Sequence, residues 1–120
     1  MVRVLVIDDE EMIRLAISVM LRGRGMEVEV AADGAEGLEK ARGWLPDVVV
    51  CDLTMPVMDG FEFLAEWRRD DQLKGIPVVA TTGLGVIDYR DRALESGAAD
   101  FVVKPFGRDR LLELIQTLLR

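Results

Sequence analysis

Apolar residues along the chain fall into two alternating patterns. Short runs rich in Val and Ile, at Val2–Ile7, Val48–Cys51, Ile76–Thr81 and Phe101–Val103, predict strands buried on both faces of a sheet. Glu27–Ala31 instead alternates polar and apolar residues, which predicts a half-exposed edge strand. Between the strands lie segments of helical period, Glu11–Arg22, Asp33–Arg42, Phe61–Asp70, Ile87–Ser96 and Arg108–Leu119. In the last of these, Leu111, Leu114, Ile115 and Leu118 recur at i, i+3, i+4 and i+7. Asp33 and Asp59 suit helix N-caps, and Gly43 and Gly97 suit helix ends. Strands alternating with helices imply parallel pairing, right-handed crossovers and helices on both sides. With the half-exposed second strand at an edge, the expected fold is α/β: a doubly wound, five-stranded, flavodoxin-like (βα)5 sheet of order 2-1-3-4-5. No Pro/Ser-rich linker or charge block divides residues 1–120, so a single domain is expected.

Ligands of open parallel sheets bind beyond the carboxyl ends of the strands, near the reversal of strand order. There the sequence places Asp8-Asp9 after strand one, Asp52 after strand three, Thr82 after strand four and Lys104-Pro105 after strand five. Strands one and three are neighbours in this order, so Asp8, Asp9 and Asp52 share one corner. Crowded carboxylates disfavour one another's ionisation, so cations must compensate. Lys104 supplies one charge, and a divalent ion held by oxygen ligands, Mg²⁺ rather than Ca²⁺, would supply more. The stretch 52–60 lacks the alternating ligands and terminal Glu of a calcium loop. Each residue taken singly has a plainer reading. The acidic run Asp8–Glu11 could serve a helix dipole, Asp52 an Asx turn, Thr82 a turn hydroxyl, and Lys104 the surface. The conjunction at four strand ends favours a site.

Composition narrows the chemistry. The 120 residues are 50% hydrophobic and 31% charged, with 15 basic and 22 acidic residues and a net charge of −7. That balance opposes docking on nucleic acid or anionic membrane, and no apolar run reaches the roughly 20 residues of a membrane span. A single cysteine, Cys51, excludes an internal disulfide and fits a cytoplasmic location. The absence of histidine excludes Ser-His and Cys-His dyads and imidazole ligands.

The acidic pair Asp8-Asp9, the run Asp52-Leu53-Thr54-Met55-Pro56-Val57-Met58-Asp59-Gly60, then Thr82, Gly97-Ala98-Ala99-Asp100, Phe101 and Lys104-Pro105-Phe106 resemble the receiver domain of two-component response regulators. The resemblance covers essentially the whole chain. It implies a phosphorylated signalling protein, not an enzyme beyond its own phosphotransfer and autodephosphorylation. Asp52 would be the phosphoacceptor; Asp8, Asp9, Asp52 and the Thr54 main-chain carbonyl would hold Mg²⁺. Lys104 and Thr82 would contact the phosphoryl oxygens, and Thr82 and Phe101 would form the switch. Expected partners are a histidine kinase or histidine phosphotransfer protein and a downstream effector protein, with no direct nucleic acid and no membrane contact. Either a stand-alone regulator or a receiver cut from a longer chain fits.

Some positions depart from the family pattern. Thr81 replaces the usual apolar residue before the switch hydroxyl, and Phe101 lacks the hydroxyl of the Tyr common there. Gly83 and Gly85 should loosen their loop. Leu84 cannot orient water, so slow self-dephosphorylation is expected. On the first helix Ile13, Ala16, Ile17 and Met20 make a core stripe, and Met12, Leu15 and Val19 widen it. That excess is expected to dock the kinase or phosphotransfer partner. A haloacid-dehalogenase-like phosphatase would want a second acid where Thr54 stands. A flavodoxin-like electron carrier would not place Asp8–Glu11 against a phosphate.

Overall fold

The computed structural model describes residues 1–83 and 87–119. The elements alternate as β1 (Arg3–Ile7), α1 (Glu11–Arg22), β2 (Glu27–Ala31), α2 (Gly34–Trp44), β3 (Val48–Asp52), α3 (Gly60–Arg69), β4 (Val78–Thr82), α4 (Ile87–Glu95), β5 (Asp100–Val103) and α5 (Arg108–Leu118). All strand pairs are parallel, and the sheet order is β2-β1-β3-β4-β5.

The two-residue period of a strand sorts the core into two layers. Leu5, Ile7, Val49, Cys51, Val78, Ala80 and Phe101 face one way and pack with Leu38, Phe63, Leu64, Trp67 and Ala93 of α2, α3 and α4. Val4, Val6, Val48, Val50, Val79 and Val102 face the other and meet Ile17 and Leu21 of α1 and Leu111, Leu114 and Ile115 of α5. β1, β3 and β4 are buried along nearly their whole length because helices cover both faces. β2 alternates between exposed and buried positions, as its sequence requires at an edge. β5, at the opposite edge as the expected order requires, buries Phe101 on one face and Val102 on the other, and only its terminal Val103 departs from the expected burial.

Two further local expectations are corrected. Gly43 does not end α2, which continues to Trp44; Leu45 then turns left-handed at φ 53°. The stop comes from Pro46, which has no N–H and cannot follow a helical residue without a clash. On α1, Ala16 is exposed, whereas Ser18 and Leu21 are buried beside Ile17. The buried stripe is therefore rotated from the one that apolarity alone picks out.

Candidate functional site

The strand ends meet as the topology requires. Asp8 leaves β1 with its N–H donating to the Ala31 carbonyl of β2 at 3.1 Å. Asp52 ends β3, Thr82 ends β4, and all three side chains are buried. Just past β5, the Lys104 N–H donates to the Thr82 carbonyl at 2.7 Å, and the Lys104–Pro105 peptide is cis. Lys104 Nζ lies 2.9 Å from Asp8 Oδ2, 3.4 Å from Asp52 Oδ2 and 3.8 Å from Glu10 Oε1. Residues almost a hundred positions apart thus share one ion-pair cluster.

The loop after β3 is built to hold Asp52. Its Oδ1 accepts from the Thr54 N–H at 3.1 Å. Asp59 and Glu62 form a reciprocal capping box at the start of α3. Gly60 fits directly beneath the turn, with its N–H donating to the Leu53 carbonyl at 3.1 Å. A Cβ at Gly60 would lie 2.6 Å from both the Asp52 carbonyl oxygen and Leu53 Cα, so only glycine allows this approach.

Burial pushes the Asp52 carboxyl from 3.8 up to about 6, and the charge of Asp8 adds to the rise; the Thr54 N–H and Lys104 offset part of it. Burial acts against the charge on Lys104, yet its hydrogen bond to Asp8 and the Asp52 and Asp8 charges outweigh that and hold its pKa above the usual value. Burial, with Asp52 next to it, raises the Cys51 thiol well above its usual range, which makes it unreactive.

Carboxylate oxygens of Asp8, Asp9 and Glu10 come within 4.8 Å of one another. Asp9 and Glu10 are exposed at the mouth of a cleft of about 690 Å³, whose lining also includes Asp52, Thr54 and Lys104. These are hard oxygen donors, a set that suits Mg²⁺. Both Asp8 carboxylate oxygens already accept hydrogen bonds, from Lys104 and from the Glu10 N–H, so Asp9 is the freer of the acid pair.

The expected site residues separate into groups. Asp8 and Asp52 each pair with Lys104, and Asp9 and Thr54 line the cleft together with Asp52 and Lys104. Thr82 lies fully buried behind the rim. Thr81 sits opposite Asp52 in the sheet, and Thr82 opposite Val103. Phe101 pairs with Ala80 and is buried in the layer shared with α3 and α4. Met12, Leu15 and Val19 are exposed, at 74%, 56% and 65%, but none lines the cleft. Its apolar wall comes from Ile13, Ala16, Ile17 and Met20 of α1 and from Pro105 and Phe106. Sequence reasoning missed Glu10 as a cleft acid, although the acidic run pointed to it, and missed the Pro105–Phe106 wall. Leu84 and Gly85 lie outside the described residues.

At its switch point the doubly wound sheet thus gathers an acid pair, a buried aspartate and a lysine. The response regulator receiver domain model matches residues 4–116, and the chain belongs to that family. It is therefore a receiver domain of the two-component signalling type. It is 38% identical over 120 residues to the DNA-binding dual master transcriptional regulator RpaA of Synechocystis, covering 100% of this chain and 50% of that protein. It is 39% identical over 118 residues to the transcriptional regulatory protein PrrA of Mycobacterium leprae, covering 98% of this chain and 50% of the relative. Among solved structures, the Vibrio cholerae chemotaxis protein CheY4 superposes with a TM-score of 0.93 at 39% identity, covering 99% of each chain. The chain spans about half the length of the curated relatives it matches. The charge argument against nucleic acid therefore concerns this surface alone, because RpaA is described as DNA-binding. No helix among the described residues is long and apolar enough to cross a membrane.

Proposed function

We propose that Asp52 is the acceptor of a phosphoryl group passed from a histidine kinase or histidine phosphotransfer protein, with Mg²⁺ as cofactor. The observation that carries this reading is the Lys104 ammonium held within 3.4 Å of both Asp8 and Asp52 at the strand-order reversal. An Asp52 oxygen would form the bond to phosphorus while the donor's bond to phosphorus breaks and its imidazole leaves. A carboxylate needs no base for this attack, which suits a chain without histidine. Transfer of this kind is catalysed mainly by positioning and charge. Lys104 would hold one phosphoryl oxygen and Thr82 another. Asp9, Asp8, Asp52, the Thr54 carbonyl and the adjacent Glu10 are the groups available to a divalent ion, which when bound neutralises charge on the phosphoryl oxygens.

Movement of the Thr82 hydroxyl toward the phosphoryl group would reshape the end of β4, with Phe101 as the packed side chain that responds. Phe101 stands inward in this structure. The donor's helices would dock on the exposed α1 residues Met12, Leu15 and Val19, which share their helix with the apolar wall of the cleft that Asp52 lines. A downstream effector protein would read the switched state, and a cytoplasmic location would suit the single free cysteine. The direct test is incubation with Mg²⁺ and acetyl phosphate, read by intact mass. The wild type should gain one phosphoryl group and Asp52→Asn none; equal gain by both refutes the assignment.

A further inference from the structure

Asp8 is a point of convergence for several elements. Its N–H donates to the Ala31 carbonyl at the end of β2, its Oδ2 accepts from Lys104 beyond β5, and its Oδ1 accepts from the Glu10 N–H. The remaining group, its main-chain carbonyl, accepts from Arg14 Nη1 at 2.8 Å. Asp8 is buried, so a carbonyl left without that donor would find little water to replace it.

Arg14 is unusual where it stands. It lies one turn inside α1, near the positive end of the helix, where the dipole disfavours a cation. Helical side chains lean toward the N-terminus, which lets the guanidinium reach back six positions to Asp8. The N-cap residue of α1, Glu10, makes no side-chain capping bond. The short turn that carries Asp9 and Glu10 is therefore fixed from its two ends, by Asp8 and by Arg14.

We propose that Arg14 is a positioning residue for the divalent-cation site. By holding the Asp8 carbonyl it sets the β1–α1 turn, and with it the spacing of the Asp8, Asp9 and Glu10 carboxylates. The proposal rests on the reading of those acids as the Mg²⁺ site. Two effects of Arg14 oppose each other in sign. Its charge repels a nearby cation, so a purely electrostatic role predicts tighter metal binding when it is removed. Its hydrogen bond keeps the ligands in place, so a positioning role predicts weaker binding. Outer partners of metal ligands commonly govern affinity by on the order of 10–100-fold, whereas partly solvated charges are screened. Positioning should prevail.

The test is calorimetric titration of Mg²⁺ into the wild type, Arg14→Met, Arg14→Lys and Asp9→Ala, with folding checked by circular dichroism in EDTA. Met keeps the aliphatic stem and the helix propensity of Arg while removing donor and charge. Arg14→Met should bind Mg²⁺ about tenfold more weakly, and Arg14→Lys should recover most of the loss. Unchanged or tighter binding by Arg14→Met overturns the proposal. If Arg14→Met does not fold, Arg14→Gln is judged by the same two outcomes. Wild-type affinity in Asp9→Ala would overturn the cation-site reading beneath it, a result distinct from failure of the Arg14 role.

Discussion

Replacing Asp52 by Asn should make the metal-free protein more stable at neutral and alkaline pH. The Asp52 side chain is buried at the end of β3, and its carboxyl is raised from 3.8 to about 6, first by burial and then by the charge of Asp8. A carboxyl whose pKa rises on folding binds its proton more tightly in the native state than in the unfolded chain. The ionised form therefore destabilises the fold fully above about pH 6, less as the pH falls toward 3.8, and not at all below that. At about 1.4 kcal/mol per pH unit, the rise corresponds to about 3 kcal/mol. Asn imitates the neutral acid but pairs less well with Lys104, so a gain of about 1–3 kcal/mol is expected. Urea unfolding in EDTA, followed by the fluorescence of the buried Trp67, measures this from about pH 4 to about pH 8. The advantage of Asp52→Asn should open between about pH 4 and 6 and level off above. Saturating Mg²⁺ should narrow it, since an ion bound only by the native acids stabilises the wild type. An Asn variant no more stable than wild type at about pH 8, or a gain that is the same at every pH, would refute the electrostatic account of the site.

Other perturbations test the scaffold and the docking surface. Gly60→Ala places a Cβ 2.6 Å from the Asp52 carbonyl oxygen and Leu53 Cα, both backbone, so it should destabilise by about 3 kcal/mol in urea unfolding; a loss well under 1 kcal/mol would show that the turn can shift. Ser18→Ala should stabilise by about 1 kcal/mol, because the buried Ser18 hydroxyl finds no hydrogen-bond partner among the described residues and Ala is the better helix former; thermal unfolding that shows a loss counts against this. Leu15→Glu, at an exposed position on α1, should slow phosphorylation by a histidine phosphotransfer protein and leave acetyl phosphate loading unchanged. Equal slowing with both donors would remove Leu15 from the docking surface.

The architecture was legible because β-branched runs and helical periods alternate without interruption, and because β2 shows the alternation of an edge. Asp52 stood out as an acid directly after Val48-Val49-Val50-Cys51. Lys104 was legible through the strand order and through the run Lys104-Pro105-Phe106 that resembles the receiver family, since local pattern alone does not announce a partner 96 positions away. The α1 core stripe misled at two positions, because Ala16 is apolar yet exposed, while the buried position between Ile17 and Val19 is a serine. Helical period fixes which residues share a face but not which face the sheet takes. Glycine was overweighted at Gly43, where an interior helical glycine costs only about 1 kcal/mol and Pro46 is the absolute barrier. Arg14 left no trace in the pattern, because its partner is a main-chain oxygen across the strand–helix turn.

The charge arrangement explains why stability and signalling should be coupled at this site. Asp8, Asp9, Glu10 and Asp52 gather around the cleft, and Lys104 is the ammonium placed among them. Lys104 offsets part of the repulsion, as its own raised pKa shows, but the raised Asp52 pKa shows that burial and Asp8 outweigh that help. A structure selected for stability alone would replace one of these acids with a neutral side chain. Keeping them leaves a deficit of positive charge that a divalent cation would relieve, and on the proposed reading phosphorylation of Asp52, which turns its single negative charge into two, would restore the deficit in a new place. The β1–α1, β3–α3 and β5–α5 turns meet at that balance through Arg14, Thr54 and Lys104. A change of charge at one carboxylate therefore bears on all three turns at once.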